Sequence, residues 1–198
     1  MEAAMSGSTN QLYQTSVRRM NGLPKHLRQD TEVLQEYNKV IKDQIQQEIV
    51  EAMPSGDPDV DGVHYLPYHA VIQRDKATTR LRIVFDASAN AEGVSLNDCL
   101  FAGPKFDQKI LAILLTLRAH RVAVMADIEK AFLMISVSEP DRDYLRFFWI
   151  DRINKEQPEI QVLRFAKVVF GVTSSPFLLK QCLNTMIDIL IELKLRIN

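Results

Sequence analysis

The period of the apolar residues changes twice along this chain, and that change limits its fold more than any other feature. Over residues 29–53, Val33, Leu34, Tyr37, Val40, Ile41, Ile45 and Ile49 recur at spacings of three and four, the signature of one buried helical face. Asp30 or Thr31 stands where a cap belongs, and Pro54 and Gly56 follow as terminators. The period then falls to two. Residues 64–72 read as an extended segment broken by Pro67, and residues 80–85 alternate, with Leu81, Ile83 and Phe85 on one side and Arg82 and Asp86 on the other. The polar stretch 73–79 between them predicts a hairpin. Two more strands are predicted over 144–150 and 160–169, joined by polar residues 151–159. Helical spacing returns over 106–118, through Phe106, Ile110, Leu114 and Leu117, and over 177–197, through Leu179, Leu183, Met186, Leu190 and Leu193. Residues 93–104 read as a loop. The wholly apolar run 122–126 suits a buried central strand and ends in Asp127. Segregated helices and strands without repeats define an α+β chain.

Composition narrows the function classes. With 46% hydrophobic and 25% charged residues among 198, the chain can bury a core and is not globally disordered. A net charge of −1 gives no overall basic footprint, so nucleic-acid binding would have to rest on local clusters. Cys99 and Cys182 lie far apart and in no metal-binding spacing, as expected of reduced thiols in an intracellular, cytoplasmic protein. No apolar run reaches the ~20 residues of a membrane span, and the small, polar residues 1–9 lack the apolar stretch of a signal peptide. His64, His69 and His120 match no zinc-ligand spacing. Phe147, Phe148 and Trp149 at strand spacing are expected in the core rather than on a base-stacking platform.

Three segments carry chemistry. A carboxylate directly after Val-Ala-Val-Met-Ala needs a cation, a hydrogen-bond donor or solvent. Asp127 therefore either caps a turn over 128–132 or ligates a hard cation such as Mg²⁺. Arg74, Lys76, Arg80 and Arg82 crowd the predicted hairpin, opposed by Asp75 and Asp86, and by themselves read as a solvated charged edge that discourages strand pairing. Asp86 shares the face of Arg82 and can pair with it. The stretch Phe170-Gly-Val-Thr-Ser-Ser-Pro-Phe177 is built to start a helix. Pro176 fits the first turn, Ser174 or Ser175 can cap it, and Gly171 permits a sharp bend.

Taken together, these motifs resemble the reverse transcriptases of BEL/Pao-type long-terminal-repeat retrotransposons. The resemblance spans residues 64–183 and rests on Leu66-Pro-Tyr-His-Ala, Thr79-Arg-Leu-Arg-Ile-Val-Phe-Asp-Ala-Ser, Ser95-Leu-Asn-Asp, Ala126-Asp-Ile-Glu-Lys-Ala-Phe and Phe170-Gly-Val-Thr-Ser-Ser-Pro-Phe. It implies an incomplete right-hand polymerase fold, fingers plus partial palm, with an N-terminal helical arm. Residues 1–28 would be an irregular start, 29–62 a helix and linker, and 63–198 the fingers and partial palm. Asp127 would be the catalytic carboxylate and, with the Ile128 carbonyl, a ligand of Mg²⁺. Arg82 and Lys76 would hold the triphosphate, Phe132 would exclude a 2′-hydroxyl, and Phe170 and Gly171 would lie against the nucleotide. Asp86, Ser175 and Pro176 would lie near template and primer. Partners would be an RNA or DNA template-primer and deoxynucleoside triphosphates. Many members of the family carry Gln where this chain has Phe170.

The family completes its metal site with a Tyr-x-Asp-Asp hairpin beyond the helix that starts near Pro176. No Asp-Asp pair occurs in this sequence, and Asp188, within the last helix, is a poor substitute. The expectation is a segment cut before that hairpin, inactive by itself, with apolar faces at 122–126 and 179–193 left uncovered. The alternative is a non-enzymatic element remnant or a domesticated nucleic-acid-binding module.

Overall fold

The computed structural model describes residues 14, 16–19, 31–53, 63–72, 81–90, 94–104, 110–123, 126–151 and 159–197. The first long helix, α1, spans Thr31–Gln46 and buries Val33, Leu34, Tyr37 and Ile41. It ends earlier than the apolar period suggests. Glu48 adopts φ 55°, the Ile49 amide donates to the Gln44 carbonyl at 2.9 Å, and the Glu48 amide donates to the Ile45 carbonyl at 3.1 Å. This is a Schellman termination, in which an apolar residue just past the left-handed position packs back on the helix. Ile49 therefore mimics a further helical position while the chain has already turned. Val50–Ala52 then forms β1 instead of a last helical turn.

The sequence's hairpin is present. Strands β2 (Tyr68–Ile72) and β3 (Leu81–Phe85) pair antiparallel, with Tyr68 opposite Phe85 and Ile72 opposite Leu81. A second sheet is ordered β1-β5-β4, from β4 (Arg146–Asp151) and β5 (Glu159–Phe165). Tyr65 bridges in parallel to Arg146, so the lead-in to the hairpin lies along the outer edge of β4. The two sheets meet in an aromatic cluster. Phe85 stands edge-on to Phe147 and Phe165 at 4.9 and 4.8 Å, and Tyr65 stacks on Phe148 at 4.7 Å. Such pairs add to plain area burial, and Phe147, Phe148 and Trp149 are core residues. Tyr37 of α1 joins through a 2.6 Å hydroxyl contact with Tyr68, and burial raises the Tyr68 pKa to about 12.

One end of this sheet is tied by ions. Arg146 is buried and contacts Asp143 at 3.0 Å; Asp143 also receives Arg164 at 2.8 Å, Arg164 contacts Glu51 at 2.5 Å, and Glu51 receives Arg142 at 3.2 Å. Burial alone would raise the Asp143 pKa, but its bonds to Arg164 and Arg146 outweigh that and lower it.

The remaining elements are a short helix α2 (Leu96–Cys99), a helix α3 (Ile110–Ala119), 3₁₀ turns at Ala131–Met134 and Glu139–Leu145, and a long helix α4 (Ser175–Ile197). The loop expected over 93–104 thus contains α2, closed by a capping box between Ser95 and Asp98.

Among the described residues of 122–126, the expected central strand does not appear. Val122, Ala123 and Ala126 are exposed and irregular, while residues 124 and 125 lie outside the described residues. A strand needs a partner for its amides and carbonyls. Here β5 pairs outward with β1, and β4 with the Tyr65 segment. Large apolar side chains are left bare at Val122, 79% exposed, at Leu111, 67%, and at Leu190, 62%. Among the described residues, no helix is long and apolar enough to cross a membrane.

Candidate functional site

The sequence motifs converge on the turn between β5 and α4. Gly171 has φ +97°, a conformation that side-chain-bearing residues rarely adopt. A Cβ there would sit 3.1 Å from the Phe85 carbonyl at the end of β3. The glycine therefore serves both the bend and the close approach of two backbones. Ser174 caps the start of α4 with its carbonyl, which accepts from the Leu178 amide at 3.1 Å. The Ser175 hydroxyl is buried and donates to the Val169 carbonyl at 2.7 Å, so this side chain is committed to holding the turn. Pro176 is exposed in the first turn of α4.

Asn97 in α2 clamps this turn. Its amide nitrogen donates to the Gly171 carbonyl at 3.0 Å and to Ser88 Oγ at 2.8 Å, and its Oδ1 accepts from the Thr173 amide at 2.8 Å. One side chain thus joins α2, the loop after β3 and the Gly171 turn. Asn97 was not among the sequence-based site residues. Its position inside Ser95-Leu-Asn-Asp was visible, but a half-buried Asn on a four-residue helix announces no partner 74 positions away.

Phe132 and Phe170 meet at this turn. Their ring centroids are 5.9 Å apart with planes inclined by 64°, a favourable edge-to-face contact. Phe132 is half-buried in the 3₁₀ turn Ala131–Met134, whereas Phe170 is 74% exposed and presents a free ring face.

Asp127 lies on the exposed, irregular stretch before that turn, followed by Ile128, itself 49% exposed. At the cap position of the 3₁₀ turn Ala131–Met134 stands Lys130, at φ 52° and with no side-chain cap bond, rather than Asp127. Among the described residues, no three His, Cys, Asp or Glu side chains gather where a metal could be held. Asp127 alone does not make a two-ion site, which needs ligands on both ions. Asp188 is exposed on α4 and contributes nothing there.

The residues expected to hold the triphosphate and their neighbours divide. Arg82 is exposed on β3. Asp86 does not pair with Arg82; it receives Arg19 at 3.0 Å, from a helical turn at 16–19 that the apolar period did not reveal. Lys76, Arg74 and Arg80 lie outside the described residues, as do residues 1–13 and the linker 54–62.

His64 is buried, and neither ring nitrogen makes a well-formed hydrogen bond among the described residues. Loss of solvent lowers its pKa to about 4, against a smaller opposing contribution from the Tyr144 backbone. It is a neutral core group. Cys99 is half-buried and Cys182 exposed, both as free thiols.

No protein-family model matches the chain, and no curated protein matches it either.

Proposed function

We propose that this chain is a segment of an RNA-directed DNA polymerase of the BEL/Pao retrotransposon type, comprising fingers and part of the palm. The observation that carries the reading is the meeting of separately encoded motifs at one turn: Phe132 against Phe170, Gly171 against the Phe85 carbonyl, and Asn97 bonded to both Gly171 and Thr173.

In this reading the exposed face of Phe170 and the edge of Phe132 border the nucleotide sugar. A rigid ring there rejects a 2′-hydroxyl by clash. Arg82, and Lys76 with it, would neutralise the triphosphate. Asp127 would hold Mg²⁺ together with a carboxylate pair that this segment does not contain; the ion would supply charge neutralisation at the reacting phosphate. Among the described residues no group of three potential metal ligands forms around Asp127, and the second reading is a non-enzymatic remnant that keeps the fold without the chemistry.

The test uses the 198-residue chain beside a version extended through the reading frame beyond Asn198. The first reading expects Tyr-x-Asp-Asp in that frame and Mg²⁺-dependent primer extension by the extended protein, abolished by Asp127→Asn. It expects no extension by the 198-residue chain. Incorporation by the short chain would overturn the account of Asp127, and a frame lacking the carboxylate pair would establish the remnant. In the active version, Phe132→Val should relax discrimination against ribonucleotides; unchanged selectivity removes Phe132 from that role.

A further inference from the structure

We propose that the cleft between α2, the second 3₁₀ turn and the start of α4 is a binding site for a small organic amine, an apolar body bearing one protonated amino group. The cleft holds about 240 Å³. That is below the ~300 Å³ where drug-sized sites begin, so it suits a single ring with a short arm. Leu96 of α2, Val172 of the Gly171 turn and Leu178 of α4 supply apolar wall, and Asp141 and Tyr144 also line it.

The charge of the ligand follows from how the neighbouring cations are used. Arg142 is committed to Glu51 and to the Val137 carbonyl, and Arg146 and Arg164 to Asp143. Lys167 donates to Ser136 Oγ. Among the described residues Asp141 has no ion pair, and it lines this mainly apolar cleft from its exposed side. Asp141 and Tyr144 both line the recess, and a carboxylate with an aromatic ring is the set that recognises an ammonium group, by charge-assisted hydrogen bonding and by cation–π contact.

Occupancy would be felt at the Gly171 turn. Leu96 and Val172 line the cleft, and Asn97, next to Leu96, bonds to Gly171 and Thr173 on either side of Val172. The binding proposal itself does not depend on the polymerase reading.

Cys99 lines the same cleft and provides the readout. In a Cys182→Ser background it is the one remaining thiol, since the sequence has two cysteines. The rate of its alkylation by iodoacetamide is measured against increasing 2-phenylethylamine or neutral 2-phenylethanol, with amide NMR shifts followed at Leu96 and Gly171. The amine should slow alkylation saturably and shift both amides, and the alcohol should need higher concentrations. Asp141→Asn should weaken the amine about threefold, the discount appropriate to an exposed carboxylate, and leave the alcohol unchanged. Leu178→Trp should fill the cleft and abolish protection. Absence of protection by the amine, or protection that survives Leu178→Trp in a folded variant, would overturn the site. Equal potency of amine and alcohol, or an Asp141→Asn variant that binds the amine unchanged, would overturn the assignment of the ligand's charge.

Discussion

Replacing Asn97 by alanine tests whether one amide holds the candidate site together. The change removes three hydrogen bonds, to Ser88 Oγ at 2.8 Å, to the Gly171 carbonyl at 3.0 Å and from the Thr173 amide at 2.8 Å. The first two are exposed, and water can replace the donor, so each is worth about 0.5 kcal/mol. The Thr173 amide is part-buried, and stripping it of its acceptor costs about 1–1.5 kcal/mol. The sum is about 2 kcal/mol. Alanine is the better helix former, which offsets a few tenths at most. With a urea dependence of about 2 kcal/mol/M for a chain of this size, the unfolding midpoint should fall by about 1 M. Hydrogen exchange should accelerate at Thr173, while amides of β4 follow only the global change. Asn97→Asp keeps an acceptor for Thr173 but sets a carboxylate against the Gly171 carbonyl, so it should not restore stability. An Asn97→Ala midpoint equal to that of the parent, with Thr173 exchange unchanged, would refute the clamp and leave the convergence of motifs without its central tie.

Three further outcomes are expected. Gly171→Ala should cost about 2 kcal/mol, from the positive φ and from a Cβ set 3.1 Å from the unyielding Phe85 backbone carbonyl, read as a lower unfolding midpoint with altered shifts at Phe85. Stability should fall as pH drops from 6.5 to about 4, because the unfolded chain protonates His64 over that window and the folded chain does not. The full effect is about 3 kcal/mol at 1.36 kcal/mol per pH unit. His64→Leu should flatten the profile in that window, whereas any loss below about pH 4 should persist, since the lowered pKa of Asp143 keeps its contribution until that carboxylate protonates. Asp143→Asn should cost about 2 kcal/mol by thermal or urea unfolding, because it takes a charged partner from the guanidinium of buried Arg146 and from Arg164; the figure is discounted for the partial exposure of Asp143.

Several features of this protein follow from its sequence alone because their causes are local. The α1 face, the β2–β3 hairpin and the β4–β5 pair are written in residue period, and the Gly171 bend and the place of Pro176 in the first turn of α4 in backbone chemistry. Other features needed the assembled chain. Ile49 keeps the helical spacing but belongs to a Schellman turn, which packs an apolar residue back on the helix without continuing it. Residues 122–126 have the composition of a buried strand, but a strand exists only where a neighbour offers unpaired amides and carbonyls, and both outer edges of the β4–β5 pair are taken. The same holds for side chains. Asp86 found Arg19 rather than Arg82, and Asn97 reached Gly171 and Thr173. Partners so distant in sequence are chosen by packing, and no spacing rule encodes them.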